Sequence, residues 1–195
     1  MRSLKKFVVE LKKRLNDTMK LDNGVELYVD TKYNEFQHRV TEGPIVSVPA
    51  KYNCQAQPGD TLYFHHLVVI NGGQSLTGED DHYLVHYHPT TATESQAIAY
   101  KNADGDIVPL GGWGLLEPID EGEPGDQSDL IEVVKLEESP VRTGRVAFTA
   151  PWIEDLGVSV GDVVGFPKNM DYRIKIDGKE YYRTRAQDFL YVEEA

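Results

Sequence analysis

Histidine is the residue type whose spacing in this sequence first suggests chemistry. His86 and His88 are two residues apart, so both imidazoles lie on one face if the segment is a strand. His65, His66 and His82 lie on segments that are candidates for neighbouring strands. Three imidazoles in that arrangement bind zinc or another metal, as in cupin-like barrels. No glutamate follows His88 at the spacing such a barrel uses, so we predict no metal site.

Motifs of the common enzyme classes are missing from the sequence. No Gly-x-Gly-x-x-Gly follows a candidate strand, and there is neither a P-loop nor a Gly-x-Ser-x-Gly elbow. Cys54 is the only cysteine, which excludes an intrachain disulfide and a zinc site built on cysteines. We therefore predict a protein that is not an enzyme, with no catalytic residues and no cofactor.

Composition and charge narrow the class of partner. The net charge of −12 argues against nucleic acid, because a surface that binds phosphates needs a basic excess. The hydrophobic fraction of 40% suffices for a packed core. No apolar run is long enough to span a bilayer, and the basic first twenty residues lack the continuous apolar stretch of a secretory signal. We expect a cytoplasmic protein that binds no membrane.

Short β-rich segments separated by turn residues predict an all-β fold. The clearest is a hairpin over residues 172–183, in which Asp177-Gly178 joins two alternating strands. A strand pair is expected around Gly43-Pro44, and a long polar loop is expected to enclose residues 25–29. Further strands are predicted over residues 4–11, 61–69, 82–88 and 94–100.

The pattern of segments occurs twice. Gly161-Asp162 opens a strand as Gly59-Asp60 does, with an offset of 162 − 60 = 102 residues. The final strands, matched at Thr184 and Thr93, are offset by 184 − 93 = 91. The difference of 11 residues falls in the loop over residues 71–81, which is where copies of one fold tolerate insertions. We therefore predict two domains, residues 1–104 and residues 105–195.

Each copy resembles the GroES-type co-chaperonins, the lid proteins of chaperonins. The resemblance covers nearly the whole chain and is most specific in the second copy. The motifs that carry it there are Pro109-Leu110, Gly144-Arg145-Val146, Val158-Ser159-Val160-Gly161-Asp162, Asp177-Gly178-Lys179-Glu180-Tyr181 and Gln187-Asp188-Phe189-Leu190. It implies two small antiparallel GroES-like β-barrels in tandem, each with a long mobile loop. The intervals over residues 49–57 and 149–159 are shorter than the family's roof hairpin, as in divergent phage-encoded co-chaperonins.

The resemblance also implies a function and a site. A lid subunit caps a GroEL-like chaperonin ring, assembles into a homo-oligomeric ring and assists ATP-dependent protein folding. Its mobile loop ends in an aliphatic triplet that contacts the chaperonin, and a ring of weak loops binds through multivalency. The residues at the matching positions, which form our predicted partner-binding site, are Val25, Glu26 and Leu27 in the first copy and Leu130, Ile131 and Val133 in the second.

A structural protein is the alternative function. A tandem β-barrel protein with long loops also suits a virion component, such as a capsid decoration protein of a phage. Both functions predict symmetric self-assembly. They differ in the partner, which is a chaperonin ring in one case and a capsid or tail lattice in the other.

Overall fold

The structure, a computed structural model, describes residues 2–21, 23–31, 38–72, 75–76, 79–119, 141–170 and 172–193. The chain divides into two compact units, Met1–Gly111 (unit 1) and Gly112–Ala195 (unit 2). Strands are the main regular structure of the described residues, which confirms the all-β class. No described helix has the length and apolar character needed to cross a bilayer. The predicted domains, residues 1–104 and 105–195, were drawn from the sequence repeat. The division into compact units does not test that repeat, so these domains stay a prediction.

Unit 1 contains nine of the described strands. They are β1 (Lys6–Glu10), β2 (Thr18–Lys20), β3 (Glu26–Tyr28), β4 (Glu42–Ser47), β5 (Thr61–Phe64), β6 (Ser75–Leu76), β7 (Glu79–His86), β8 (Ala97–Lys101) and β9 (Ile107–Pro109). Two 3-10 helices, His66–Gly72 and Ala92–Glu94, lie between strands. All strands except β2 and β3 join one antiparallel sheet, in the order β6-β7-β1-β4-β5-β8-β9.

Unit 2 contains the other six described strands. They are β10 (Trp113–Pro118), β11 (Val141–Val146), β12 (Val163–Pro167), β13 (Arg173–Ile176), β14 (Lys179–Arg185) and β15 (Tyr191–Glu193). The short helix α1 (Pro151–Glu154) and two 3-10 helices, Lys168–Met170 and Ala186–Asp188, complete the unit. The antiparallel sheet has the order β13-β14-β10-β11-β12-β15.

The two sheets share one strand order. If the first six strands of each sheet are ranked by their position in the chain, both sheets read 4-5-1-2-3-6. The sheet of unit 1 has one additional strand, β9, on the outer side of β8. The pairings between described strands leave both sheets open, so the prediction of closed barrels is wrong although the all-β class is right.

The Gly-Asp turns that the sequence matched have the same hydrogen bonds in both units. Asp60 accepts a bond from the N–H of Gln57 at 2.7 Å, and Asp162 accepts the equivalent bond from Ser159 at 2.8 Å. The preceding glycine, Gly59 or Gly161, has φ of +98° in each turn, where a side chain would be strained. Both aspartates are almost fully buried, and their turns start β5 and β12.

Two predicted elements of unit 1 differ from the structure. Gly43 and Pro44 lie inside the single strand β4, not in a turn between two strands. The side chain of Leu11 lies so close to Gly43 that a Cβ there would clash with it, which explains a glycine in a strand. The strand predicted over residues 61–69 ends at Phe64, because a 3-10 helix from His66 buries Val68 and Val69 in the core.

The final strands of the two units match in a different register from the predicted one. A 3-10 helix precedes each strand, Ala92–Glu94 before β8 and Ala186–Asp188 before β15. Tyr100 pairs with Leu62 of β5 and Val192 pairs with Val164 of β12, so the final strands are offset by 192 − 100 = 92 residues, not by the predicted 91. The helices themselves are offset by 186 − 92 = 94 residues. The predicted hairpin over residues 172–183 is present as β13 and β14, with positive φ at both turn residues.

Each unit has its own hydrophobic core. The core of unit 1 contains Phe7, Leu62, Phe64 and Val85, and that of unit 2 contains Leu116, Val164, Phe166 and Tyr182. Buried and more exposed residues alternate along β7 and β13. The strands β1, β5, β10, β12 and β14 instead contain runs of consecutive buried residues, as expected for strands covered on both faces.

Gly165 on β12 supports β15 by leaving room for an aromatic ring. Gly165 is paired with Tyr191, whose ring occupies the space that a Cβ at position 165 would need. We expect Gly165→Val to displace the ring and lower the free energy of unfolding by about 1–3 kcal/mol, the usual cost of overpacking. Urea unfolding measures the change. Adding Tyr191→Ala should recover part of the loss, and equal losses in the single and double variants would contradict this packing.

Candidate functional site

A two-stranded ribbon, formed by β2, β3 and the turn between them, extends from unit 1. It lies within the loop that the sequence predicted as mobile. The two strands pair only with each other among the described strands, with Met19 opposite Leu27. At the base of the ribbon the N–H of Val29 donates to the carbonyl of Asp17 at 2.8 Å, and Leu15 forms a bridge with Arg39. The ribbon is therefore anchored at one end.

The tip of the ribbon is a tight turn. Gly24 has φ of +80°, and its N–H donates to the carbonyl of Leu21 at 2.8 Å. The side-chain Oδ1 of Asn23 accepts a bond from the N–H of Val25 at 3.1 Å, as is usual for asparagine in turns. The Asn-Gly pair thus fixes the turn, and the residues that follow it begin the second strand of the ribbon.

The ribbon presents apolar side chains outside the hydrophobic core. Val25 is 48% exposed, Leu27 is 43% exposed and Tyr28 is 86% exposed. Val25 and Leu27 are two residues apart and share one face, whereas Glu26 and Tyr28 lie on the other. A two-stranded ribbon is only marginally stable alone, and exposed apolar groups gain free energy when a partner covers them. The structure therefore places Val25 and Leu27 side by side on one face of the ribbon and Glu26 on the other face.

The predicted contact residues of the second loop have no structural description to set beside that of the ribbon. Leu130, Ile131 and Val133 lie outside the residues that the structure describes. Their role in partner binding stays a prediction from the sequence.

The free edge of β15 is a candidate surface for pairing with another chain that the sequence did not predict. In unit 1, β9 pairs with the equivalent strand β8, with Tyr100 opposite Val108, and the first four residues of β8 are buried. In unit 2, β15 pairs with β12 only, and it is the last strand of the described sheet. Leu190, Tyr191 and Val192 are each more than a third exposed. Such an edge is a template for pairing with another chain.

The histidines do not assemble into a metal site in the part of the chain that the structure covers. No group of three histidine, cysteine, aspartate or glutamate side chains has the geometry to hold a metal ion there. The rings of His65 and His66 are 4.3 Å apart and tilted. The pKa of His86 is lowered, first by partial burial and then by Lys6, so protonation there is disfavoured rather than promoted.

Cys54 packs against the core of unit 1 beside Tyr87. Burial is the largest influence on the thiol and raises its pKa. A raised pKa suppresses the thiolate, which is the reactive form. This environment favours a packing role for Cys54.

Comparison with known proteins gives one informative similarity. No family model matches the chain. The chain is 34% identical over 94 residues to a protein of Coprothermobacter proteolyticus named Co-chaperonin GroES. The matched part is 45% of this chain and 94% of that protein, so the relative is matched over nearly its whole length.

Proposed function

The chain belongs to the GroES co-chaperonin family, and from this premise we propose that it is a lid subunit that caps a GroEL-like chaperonin ring and assists ATP-dependent protein folding. The observation that carries the proposal is the match over 94% of a co-chaperonin's length at 34% identity. A lid makes and breaks no covalent bond, which agrees with the lack of catalytic motifs in the sequence.

We propose the ribbon as the part that contacts the chaperonin. The support is its anchorage at one end and the exposure of Val25 and Leu27 on one face. Glu26 lies on the opposite face, where it is paired with Lys20 in the backbone register. We therefore assign the apolar contact to Val25 and Leu27 and give Glu26 a position at its rim. Leu130, Ile131 and Val133 are proposed as the second contact, on the resemblance of their loop alone.

The chain is further proposed to be a tandem of two co-chaperonin copies. The support is threefold: the common strand order of the two sheets, the equivalent turns at Asp60 and Asp162, and a relative whose matched part takes up 45% of this chain. Two copies in one chain halve the number of chains needed for a given number of lid units. No observation favours a virion component, so that alternative is not proposed.

Self-assembly into a ring is the last part of the proposal. A single ribbon buries few apolar groups, and weak contacts of this kind become a firm attachment only when several act together. The free edge of β15, with exposed Leu190 and Val192, is the surface proposed to join one chain to the next. Edge pairing gives a head-to-tail contact, and such contacts generate rings when the rotation closes.

Refolding of a chaperonin-dependent client tests the proposed function. A denatured client enzyme is mixed with a GroEL-like chaperonin and ATP, with or without the full chain, and the recovered activity is measured. We expect the yield to rise only when chain, chaperonin and ATP are all present. A yield that is the same with and without the chain would contradict the proposed function. Bovine serum albumin at equal mass concentration controls for nonspecific protection.

A further inference from the structure

We propose that unit 2 contains a binding site for a carboxylate group, formed by the guanidinium of Arg183 together with the indole of Trp113 and the ring of Tyr172. The site is separate from the ribbon and from the β15 edge, and it does not depend on the proposed lid function.

Arg183 lies over two aromatic rings. It is on β14, which has β13 on one side and β10 on the other. Tyr172 immediately precedes β13 and Trp113 begins β10, so the rings come from both neighbouring strands. The Cζ atom of Arg183 is 5.3 Å from the centroid of each ring. Such cation–π contacts hold the guanidinium plane against the rings and leave its N–H edge as the direction for hydrogen bonds.

Arg183 lacks an anionic partner among the described residues. It is only 5% exposed, and no hydrogen bond or ion pair to its side chain is found there. The carboxylates in the other ion pairs of unit 2, which lie on β10, on β14 and in the 3-10 helix Ala186–Asp188, are paired with other cations. These pairs are Glu117 with Lys179, Glu180 with Arg173, and Asp188 with Arg185.

Burying a cation without an anion costs free energy, because the charge loses its hydration. The pKa of Arg183 is shifted in the direction that this cost predicts. Burial lowers the pKa of Arg183 to about 10, and the charge interaction with Tyr172 opposes the shift without cancelling it. An anion beside the guanidinium offsets the free-energy cost of burying the charge, because an opposite charge stabilises the charged form. The site is therefore arranged to gain free energy when an anion enters.

The indole N–H of Trp113 is a second donor without a partner. Its Nε1 atom is buried and has no acceptor in the described part of the chain. An indole N–H only donates, and a guanidinium carries five N–H donors and no acceptor. The site thus offers donors and one positive charge, which match a monoanion that accepts through a planar pair of oxygens. A carboxylate has that charge and shape. Tyr172, which is 56% exposed, is the part of the site on the solvent side.

Fluorescence of Trp113 tests the site. The chain has two tryptophans, so Trp152→Phe leaves Trp113 as the only tryptophan, which is excited selectively at wavelengths that tyrosine does not absorb. Sodium acetate is titrated against sodium chloride at equal ionic strength. We expect a saturable change with acetate only. Arg183→Gln should weaken the apparent affinity by about tenfold or more, as expected for a lost charge-assisted bond. Arg173→Gln, at an exposed arginine one strand away, should leave the affinity unchanged.

A second pair of probes distinguishes the source of the carboxylate. N-acetyl-glutamate amide represents a side chain of another polypeptide, and N-acetyl-glutamine amide is its neutral control. A saturable response to both acetate and the glutamate derivative supports a polypeptide ligand. A response to acetate alone supports a free small carboxylate.

The unmodified chain provides a measurement that needs no variant. A ligand that binds the folded state raises the unfolding midpoint, so acetate should raise it saturably relative to chloride. If Arg183→Gln does not fold, Arg183→Lys, which keeps the charge and loses the fork, should weaken binding instead. No saturable response to any carboxylate, or an equal response in the Arg183 variant, would overturn the proposal.

Discussion

Replacing both Val25 and Leu27 with aspartate is expected to abolish binding of the chain to a GroEL-like chaperonin ring. Burying one valine or leucine side chain contributes about 1.5–3 kcal/mol, and each substitution loses that contribution. An aspartate in the contact also has to be desolvated, which costs several kcal/mol more. Because a ring of chains loses the contact at every ribbon, the losses add up around the ring and the avidity gain disappears.

The double variant should fold as the unmodified chain does. Val25 and Leu27 lie outside the core of unit 1 and are both more than 40% exposed. Exposed substitutions of this kind usually change the free energy of unfolding by less than about 0.5 kcal/mol. Circular dichroism and urea unfolding check this expectation, so that loss of binding can be assigned to the contact.

A matched control separates the ribbon from general surface effects. Val160 is 56% exposed on unit 2, beside the Gly-Asp turn, and Val160→Asp makes the same chemical change away from the ribbon. Binding to immobilised chaperonin with ATP should be lost in the ribbon variant and kept in Val160→Asp. Retained binding in the ribbon variant would remove Val25 and Leu27 from the contact.

Charging the free edge of β15 is expected to break the ring into single chains. Leu190→Lys with Val192→Asp puts two charges on an edge strand whose exposed residues are apolar. Charges at an edge block pairing because the incoming strand would have to desolvate them. The mass in solution should fall to the 22.0 kDa of one chain. Native mass spectrometry or light scattering measures it.

The result has a clear control and a clear contrary outcome. Val160→Asp, which lies outside the edge, should keep the mass of the unmodified assembly. An unchanged mass in the edge variant would show that β15 is not the joint between chains. A monomeric unmodified chain would contradict the ring itself.

Turn chemistry made some elements predictable from the sequence. The β13–β14 hairpin follows from Asp177-Gly178 because few residue pairs adopt positive φ at two successive positions. The start of β5 follows from Gly59 and Asp60, where the glycine conformation and the buried carboxylate belong to one local motif. Local sequence determines these elements, so they could be read without tertiary information.

Other elements depend on contacts that the sequence does not display. The end of β5 at Phe64 is set by the burial of Val68 and Val69, although both are strong strand formers. The partner strand of the ribbon, β2, is only three residues long and shows no strand pattern of its own, and it is paired with β3. The register of the last strands is given by their pairing with β5 and β12, and the 3-10 helices before them have no hydrophobic period that would reveal it in the sequence.

The candidate sites divide in the same way. Val25 and Leu27 stand out in the sequence because two apolar residues follow Asn-Gly in a polar loop, and the family resemblance made them candidates. Their contact with a partner stays a prediction. The sequence does not mark Arg183 as part of a site. Its ring contact is with Trp113, which is distant in the chain, and the nearby carboxylates are paired with other cations, which only the structure shows. The free edge of β15 likewise required the sheet order.

Native mass spectrometry of a GroEL-like chaperonin mixed with the full chain and ATP tests the central claim most directly. We expect a new species that is heavier than the chaperonin by a whole-number multiple of 22.0 kDa, and the Val25 and Leu27 double variant should not form it. A chaperonin whose mass stays unchanged with ATP and an excess of the chain would contradict the account.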